Sequence, residues 1–419
     1  MGESGTVGSV AAYLDRAIEG PLFRLLGELP AVLIVGPRAT GKTTTAARYS
    51  GTIVHLDQPG EAAAFRADPD AALRGLEEPV LLDEWQAVPE VLGAVKRSVD
   101  SDSHPGRFIL TGSVRADLDV ETWAGTGRLV RIAMYGLTIA EQMGKPNSIP
   151  LFDRLARGEG LDVPRDPPDL RGYVELACRS GFPEAALGLS EAARQRWLDS
   201  YLDQSLTRDA MQIDGGRDPN KLRRYFEAFA LNSAGMVDDK TLFEAAGINR
   251  KTALAYEQLL ANLLIVDALP SWRSNRLKRL VLSPKRYLVD GALLTSILRL
   301  DVNAVMRDGD LLGRLLDTLV VAQMRAQLEI AETRPRLYHL REREGRREID
   351  VLGELAGGSL VAIEIKASAA PDKDDARHLA WLREEVGDRF AAGVVLHTGP
   401  RAYSLEDRII AAPIATLWS

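Results

Sequence analysis

Residues 36–44 read Gly-Pro-Arg-Ala-Thr-Gly-Lys-Thr-Thr and combine glycines, a lysine and hydroxyl groups at a spacing that suits phosphate binding. The glycines let backbone N–H groups turn inward around phosphate oxygens, and a helix that follows points the positive end of its dipole at them. Lys42 is expected to reach the β- and γ-phosphates, and Thr43 to offer its hydroxyl to Mg²⁺. The spacing predicts a Walker A loop, with an ordinary glycine-rich turn as the alternative. The expected nucleotide-binding residues of this loop are Gly36, Pro37, Arg38, Ala39, Thr40, Gly41, Lys42, Thr43 and Thr44.

Two adjacent carboxylates, Asp83 and Glu84, follow an apolar run downstream of this loop. Asp83 at a strand end can hold Mg²⁺ directly or through water, and Glu84 is placed to orient and deprotonate the attacking water. The pair predicts a Walker B motif, with a solvated strand end as the alternative. The next apolar run ends near Thr111 and Ser113, whose hydroxyls are expected to sense the γ-phosphate unless they form a simple strand-ending turn.

Two arginines, Arg115 and Arg128, are candidates for completing the positive charge around the γ-phosphate, in the same subunit or in a neighbouring one. Spacing alone does not identify an arginine with this role, and a solvated or ion-paired surface position is the ordinary alternative. We include Arg128 and Ser113 among the expected cofactor-binding residues.

A second group of charged residues lies near the carboxyl end. Residues 348–352 and 360–366 alternate like strands, and adjacent glycines between them favour a hairpin turn. Pairing would bring Asp350 and Glu364 side by side, with Lys366 on the same face as Glu364. Two carboxylates that face one point can hold Mg²⁺ or Mn²⁺, and the ammonium group can position or deprotonate water. The three residues are therefore expected to be catalytic, although an exposed strand edge explains most patterns of this kind.

Basic residues gather in the middle of the chain. Three helical runs, followed by apolar stretches at 264–269 and 279–282, have the order of a winged helix. Asn249 is the expected N-cap of the third run, which carries Arg250, Lys251 and Thr252 on its first turn. A stretch without acidic residues follows, and its basic residues are Arg273, Arg276, Lys278, Arg279, Lys285 and Arg286.

This basic surface could neutralise several phosphates, so DNA is the expected partner. The residues expected to bind it are Arg250, Lys251, Thr252, Arg273, Arg276, Lys278 and Arg279. Winged helices also dock on proteins, and a run of charges is usually a solvated face, so both alternatives stay open.

The elements that must position these residues are visible as periodic runs. Short apolar runs at 31–35, 52–56, 79–82 and 107–110 alternate with helical stretches. This alternation predicts a doubly wound parallel α/β sheet with the phosphate loop after its first strand. Residues 9–29 read as one or two amphipathic helices, residues 144–170 as a proline- and glycine-rich linker, and residues 171–211 as further helices.

Size and composition predict two or three domains, since the chain has 419 residues, of which 46% are hydrophobic and 26% charged. The single cysteine, Cys178, excludes an internal disulfide and a cysteine-based zinc site. Apolar stretches are too short to cross a bilayer, and the first residues lack a secretory signal, so a cytoplasmic location is expected. A net charge of −7 argues against a nucleic-acid-coated protein but allows a local basic groove.

The order of four motifs, GPRATGKTT, LLDEWQAVPE, FILTGS and AGTGRLVRI, resembles a group of bacterial and archaeal AAA-type P-loop ATPases. Residues 180–184 and the stretch from Trp197 to Asp209 extend the resemblance. In that group a winged helix and a domain similar to PD-(D/E)xK nucleases follow the ATPase module. Trp85 departs from the usual smaller aliphatic residue, and the extra Thr126 weakens any role carried over to Arg128.

The resemblance implies ATP and Mg²⁺ as cofactors, with Mn²⁺ as a further option at the carboxyl-terminal site. It implies that an acidic residue of a preceding helix, here Asp317 where the family more often has glutamate, joins Asp350 and Glu364 around the metal. By analogy it also implies a homo-oligomer. The expected domains are an AAA-like ATPase (1–143), a linker and helical region (144–215), a winged helix (216–290) and a restriction-endonuclease-like α/β domain (291–419).

Two functions from different classes remain open. The first is a Mg²⁺-dependent ATPase coupled to DNA, whose last domain could cleave it. The second is a regulatory or signalling ATPase with a protein-contacting winged helix and an inactive nuclease-like domain. A small-molecule kinase is a weaker third option, because no lid-like arginine cluster lies near the first domain.

Overall fold

The computed structural model describes residues 13–113, 127–213, 218–273, 283–342 and 347–419. These residues form a five-stranded parallel sheet, a six-stranded mixed sheet and a two-stranded hairpin, joined and covered by helices. The expected fold class, with a parallel sheet at the amino end and a second α/β unit at the carboxyl end, is confirmed. No helix in the described ranges is long and apolar enough to cross a bilayer.

The first third of the chain alternates strands and helices. Its strands are β1 (Ala31–Val35), β2 (Thr52–His55), β3 (Val80–Asp83), β4 (Phe108–Gly112) and β5 (Val130–Ala133). Its helices are α1 (Glu19–Glu28), α2 (Lys42–Ala47), α3 (Pro59–Ala67), α4 (Pro69–Leu73) and α5 (Val91–Ser101). The first four strands coincide with the predicted apolar runs. The prediction lacks β5, because Arg131 interrupts its apolar residues and leaves no continuous run.

The strand order β2-β3-β4-β1-β5 places β4 between the strand before the phosphate loop and the strand that ends in Asp83. All neighbours in this sheet are parallel, with Ile34 opposite both Thr111 and Ile132. Because parallel strands end at the same edge, the phosphate loop, Asp83 and Thr111 meet there. The expected position of Thr111 and Ser113 between the two Walker strands follows from this order.

Both faces of the parallel sheet are buried, and alternate residues of β1 point to opposite faces. Leu33 packs with Phe65 and Leu82 on one face. Ile34 packs with Leu22 and residues of β3, β4 and β5 on the other. Full burial of one such side chain contributes about 1.5–3 kcal/mol to the stability of the fold. The two apolar layers therefore hold the sheet in place, and with it the carboxyl ends of the strands where the site lies.

Helices fill the region between the two sheets. They are α6 (Ile139–Gln142), α7 (Leu151–Ala156), α8 (Leu170–Arg179), α9 (Pro183–Leu187), α10 (Glu191–Gln204) and α11 (Ala210–Ile213), with one π-helical turn (Ser205–Asp209) before α11. The structure differs from the expected linker at α7, where Phe152 is fully buried. Phe152 packs so closely on Gly353 that a Cβ added there would lie 2.3 Å from its ring. A six-residue helix is too short to show a periodic pattern in the sequence.

The next elements have the order of a winged helix. They are α12 (Pro219–Leu231), α13 (Asp239–Ala245), α14 (Arg250–Asn262), β6 (Val266–Leu269) and β7 (Lys285–Leu288). Asn249 caps α14 as expected, since its side chain accepts a hydrogen bond from the Thr252 N–H at 2.9 Å. The predicted strand at 279–282 lies outside the described residues, and β7 pairs with β6 antiparallel.

The last part of the chain carries the mixed sheet. Its helices are α15 (Gly291–Ile297), α16 (Val302–Arg307), α17 (Gly309–Leu328) and α18 (Arg377–Val386). Its strands are β8 (Arg336–Arg341), β9 (Glu348–Glu354), β10 (Leu360–Ile365), β11 (Phe390–His397), β12 (Tyr403–Glu406) and β13 (Ile409–Pro413), in the order β12-β13-β11-β10-β9-β8. The predicted pairing of β9 with β10 is present and antiparallel, with Leu352 opposite Ala362.

One hydrophobic core runs through the helical region, the winged helix and one face of the mixed sheet. It includes Phe152, Tyr173, Phe226, Leu288 and Val361. A separate cluster around Leu379 covers the other face of the mixed sheet. Helices α12, α13 and α14 with the β6–β7 hairpin, which have the order of a winged helix, are therefore packed with the carboxyl-terminal sheet as parts of one body.

Candidate functional site

The phosphate loop leaves β1 at Val35 and enters α2 at Lys42. Ala39 and Gly41 have positive φ values of 58° and 89°, which turn the backbone in the left-handed sense that such a loop requires. At Gly36 an added Cβ would lie 1.9 Å from the Met134 carbonyl oxygen, so no other residue fits without moving β5. The loop stands at the amino end of α2, where an anion is favoured.

Lys42 is buried, and its ammonium group donates to the carbonyl oxygens of Gly36 at 3.0 Å and Pro37 at 2.7 Å. Burial lowers the pKa of Lys42 to about 8, although the charges of Glu84 and Asp83 raise it and Arg38 lowers it further. The ammonium is thus held inside the loop in a setting where further negative charge would be favourable.

Asp83 is the meeting point of three side chains at the end of β3. One carboxylate oxygen accepts hydrogen bonds from the Thr43 hydroxyl, at 2.7 Å, and from the Thr111 hydroxyl. The other lies 3.2 Å from Nδ1 of His55. The structure thus joins the two expected magnesium residues, Thr43 and Asp83. Sequence reasoning missed His55, whose one available signal is its place at the end of the predicted second strand.

Glu84 follows in a left-handed conformation, with φ 52° and ψ 49°. Its carboxylate accepts hydrogen bonds from the Ser113 hydroxyl at 3.2 Å and from the side-chain amide of Gln86. The neighbouring Trp85, unusual for the resembled family, is buried against Gly112, where an added Cβ would lie 2.6 Å from the indole nitrogen. The close contact with Gly112 at the end of β4 therefore fixes Trp85 and, through it, the direction of the neighbouring Glu84.

Arg38 links the phosphate loop to the helical region. Its guanidinium group forms an ion pair with Asp209 at 2.5 Å and lies 3.4 Å from the Ser113 hydroxyl. Asp209 closes the π-helical turn after α10 and is almost fully buried. Burial raises the pKa of Asp209, and the attraction of Arg38 and Arg208 opposes that shift.

A largely apolar pocket of about 300 Å³ opens beside the phosphate loop. Its wall includes Gly41, Thr44 and Thr45 from the loop and α2. The remaining wall residues come from the segment before α1 and from α9 with its surroundings: Tyr13, Leu14, Arg16, Leu137, Pro183, Glu184, Leu187, Gly188 and Leu189. Thr44, expected to bind the cofactor, therefore faces a space next to the loop.

The structure corrects the expectation that Arg128 serves the nucleotide site of its own chain. Arg128 precedes β5, and β5 runs parallel to β1, so this arginine lies at the edge opposite the phosphate loop. There it forms an exposed ion pair with Asp100 at 2.9 Å. The other candidate, Arg115, lies outside the described residues.

The expected DNA-binding residues differ in their exposure and in their contacts. Arg250 and Lys251 are exposed on the first turn of α14, and Thr252 is half-buried. Arg273 donates to the Arg341 carbonyl oxygen at 2.6 Å. The other three, Arg276, Lys278 and Arg279, lie outside the described residues.

Lys285 and Arg286, at the end of the expected basic stretch, are not surface residues. Arg286 is buried and forms ion pairs with Glu257 at 2.8 Å and Asp239 at 2.5 Å. Lys285 is 3% exposed and points into the carboxyl-terminal unit. The sequence of β7, Lys-Arg-Tyr-Leu, starts with two charged residues and so suggests a surface position, yet all four residues of the strand are buried.

The predicted carboxylates at the carboxyl-terminal site do come together, but around this lysine. The Lys285 ammonium lies 2.8 Å from Asp350 Oδ1 and 3.1 Å from Asp317 Oδ2. The second oxygen of Asp350 accepts the Ile365 N–H at 3.0 Å. Lys366 is partly exposed, with its ammonium 3.8 Å from Glu364. We refer to Lys285, Asp317, Asp350 and Glu364 as the carboxylate cluster.

The protonation of the cluster follows from burial and from Lys285. Burial alone favours the neutral acid, yet the Lys285 charge and hydrogen bonds from Glu364, Lys285 and Ile365 lower the pKa of Asp350 to about 2. Burial and the charge of Asp350 raise the pKa of Glu364 well above its usual range. Burial, opposed by Lys285, raises the pKa of Asp317 to about 7.

This arrangement does not fit a divalent metal. An ammonium group lies between Asp350 and Asp317, and burial together with the charge of Asp350 raises the pKa of Glu364. In the described part of the chain, no group of three or more His, Cys, Asp or Glu side chains is arranged to hold a metal ion. Of the expected metal ligands, Asp317 and Asp350 therefore form an internal ion pair with Lys285 in this structure, and Glu364 lies beside Asp350.

The fold and the first site define a class, that of P-loop ATPase-like proteins. Residues 28–143 match the family model described as AAA domain, so the first third of the chain is similar to AAA-type ATPase domains. Residues 170–304 and 312–417 match two models described as domains of unknown function, DUF8612 and DUF4143.

Two mycobacterial proteins are similar over most of the chain. Rv2008c of Mycobacterium tuberculosis and Mb2031c of Mycobacterium bovis, both described as uncharacterized proteins, are each 27% identical to it over 396 residues. The alignments cover 94% of this chain and 82% of each relative. The solved Walker-type ATPase PABY2304 of Pyrococcus abyssi is similar with a TM-score of 0.43 and 14% identity, over 68% of this chain and 96% of that chain.

Proposed function

We propose that the first domain binds and hydrolyses ATP with Mg²⁺. The observation that carries this is the 2.7 Å hydrogen bond from the Thr43 hydroxyl to Asp83, beside the buried Lys42 ammonium. Thr43 and Asp83 would hold Mg²⁺ together with the phosphates. When bound, the ion would neutralise charge on the β- and γ-phosphates.

The protein's own residues then have distinct tasks. Lys42 would exchange the carbonyl oxygens of Gly36 and Pro37 for phosphate oxygens, which are stronger acceptors because they are charged. Glu84 would accept a proton from the attacking water, with Ser113 and Gln86 fixing its carboxylate. The apolar pocket beside Gly41 would bind the adenine ring of ATP, since the pocket adjoins the phosphate loop and offers mostly apolar surface.

Calorimetry and steady-state turnover test this proposal. ATP with Mg²⁺ should bind to the intact protein, and Lys42→Ala should abolish binding. Glu84→Gln should retain binding and lower kcat by about 10²- to 10⁴-fold, as expected for loss of a general base. Lys96→Ala, in an exposed pair with Asp100, is the matched control and should leave both quantities unchanged. Absence of nucleoside-triphosphate binding by the folded wild type would contradict the proposal.

We further propose DNA as the partner that this ATPase acts on, supported by the exposed Arg250 and Lys251 on the first turn of α14. Such a position at the start of the third helix suits contact with phosphates or bases. An oligomer in which the exposed Arg128 serves a neighbouring subunit is part of the same proposal.

The competing function is a regulatory ATPase whose winged helix contacts protein and whose last domain is inactive. The burial of Lys285 and Arg286 favours it, because both leave the expected basic surface. ATP turnover with and without duplex, single-stranded and branched DNA, at stated salt, separates the two. Stimulation by DNA supports coupling, and turnover that ignores every DNA supports the regulatory function.

A further inference from the structure

The carboxylate cluster contains its own cation. Lys285 reaches it from β7 of the winged-helix hairpin, whereas Asp317 lies on α17 and Asp350 on β9. The three side chains are thus supplied by separate parts of the fold. At 3% exposure and with carboxylate oxygens at 2.8 and 3.1 Å, the ammonium is enclosed rather than resting on a surface.

A divalent ion and this ammonium group would need the same oxygens. Mg²⁺ or Mn²⁺ requires several oxygen ligands at about 2.0–2.2 Å around one point. The Lys285 ammonium lies between Asp350 Oδ1 and Asp317 Oδ2, and the Ile365 N–H donates a hydrogen bond to Asp350 Oδ2. A metal could gain these oxygens only if the lysine left.

We propose that the Lys285 ammonium takes the place that a metal ion would occupy among these carboxylates. The cluster is then an ion-pair contact, here called the joint, between the β6–β7 hairpin and the carboxyl-terminal unit. A buried carboxylate pair needs a compensating positive charge, and the lysine supplies it without a dissociable ligand. The proposal is independent of the ATPase function, because it concerns a site that shares no residue with the phosphate loop.

A second buried ion pair places the same hairpin against the same helix. Asp267 of β6 pairs with Arg325 of α17 at 2.5 Å, and both side chains are largely buried. The hairpin therefore offers a cation from one strand and an anion from the other. The two pairs of opposite polarity fix the register between hairpin and helix, since a shift would separate both pairs and leave buried charges uncompensated.

With Lys285 in the place of a metal, Lys366 would have no metal-bound water to act on. Its ammonium is partly exposed and lies 3.8 Å from Glu364, outside the Lys285 contacts. Of the pattern Asp…Glu-x-Lys, which predicted a nuclease-like centre, Asp350 is the residue that binds the hairpin through Lys285.

Mn²⁺ binding to nucleotide-free protein, followed by electron paramagnetic resonance and calorimetry, tests the replacement. The samples are wild type, Asp350→Asn, Lys285→Met and the double variant. We expect wild type and Asp350→Asn to bind the same amount of Mn²⁺. We expect Lys285→Met to gain one ion per chain, which the double variant loses. Any binding at the phosphate loop is common to all four samples and cancels.

Two results would overturn the proposal. The first is wild-type protein that binds an Mn²⁺ ion absent from Asp350→Asn, since the lysine would then not exclude the metal. The second is folded Lys285→Met that gains no ion. Should Lys285→Met fail to fold, the comparison of Mn²⁺ binding by wild type and Asp350→Asn still tests the proposal, because it needs no lysine variant.

Discussion

At the level of single residues, the nucleotide site is held by contacts that a bound triphosphate would rearrange. Lys42 donates to loop carbonyls, and Arg38 pairs with Asp209. Lys42 is held by neutral carbonyl oxygens and Arg38 by the carboxylate of Asp209, and phosphate oxygens would compete with both. The Lys42 contact predicts a proton uptake on ATP binding, and the Arg38 contact predicts a change in ATP affinity.

Lys42 gives a pH-dependent prediction. Because burial lowers its pKa to about 8, roughly half of the lysines in free protein are neutral at pH 8. Bound phosphates stabilise the ammonium and raise this pKa again, so ATP binding should take up about half a proton at pH 8 and almost none at pH 6. Calorimetry in buffers of different ionisation enthalpy measures the uptake. Equal uptake at both pH values would show that Lys42 is fully charged before ATP binds.

Arg38 gives a prediction on affinity. Asp209 competes with phosphate for the guanidinium group, so Asp209→Asn should tighten ATP binding about two- to fivefold, a modest gain because Arg38 is partly exposed. Asp203→Asn, which removes an exposed ion pair between α10 and Arg223 of α12, is the control and should have no effect. Weaker ATP binding by Asp209→Asn would instead mean that the ion pair positions Arg38 for the nucleotide.

At the level of elements, local patterns predicted what depends on neighbouring residues. The apolar runs before Gly36 and Asp83 became β1 and β3, and the carboxylates Asp350 and Glu364 came together because β9 and β10 form a hairpin. The phosphate loop was visible for the same reason, since its chemistry is contained in nine consecutive residues.

Elements defined by distant packing were not predictable in this way. Helix α7 looked like part of a linker because its stability comes from Phe152 against Gly353. Lys285 looked like part of a basic surface because its partners lie on α17 and β9. A charged residue in a short strand gives the same sequence pattern whether the strand is buried against another element or exposed to solvent. The sequence therefore cannot distinguish a buried Lys285 from an exposed one.

At the level of the whole molecule, the joint at Lys285 should contribute to stability. Removing one partner of a buried ion pair leaves an uncompensated charge, and Lys285→Met should lower the free energy of unfolding by about 3–5 kcal/mol. Lys240→Met, in an exposed pair with Glu244, should cost less than about 1 kcal/mol. Urea titration of both variants measures the difference. Equal midpoints would show that the carboxylates tolerate the loss of Lys285.

The winged helix gives a prediction about DNA, because Arg250 and Lys251 are exposed together at the start of α14. Each phosphate contact contributes about 0.9 to the slope of log K against log salt, so replacing both residues by alanine should reduce that slope by about 2. Lys240→Ala on α13 removes one positive charge away from the start of α14 and serves as the control, which should leave the slope unchanged. Fluorescence anisotropy with duplex DNA over a range of salt measures the slope. An unchanged slope in the double variant would remove α14 from any DNA interface and leave docking on protein as the role of this module.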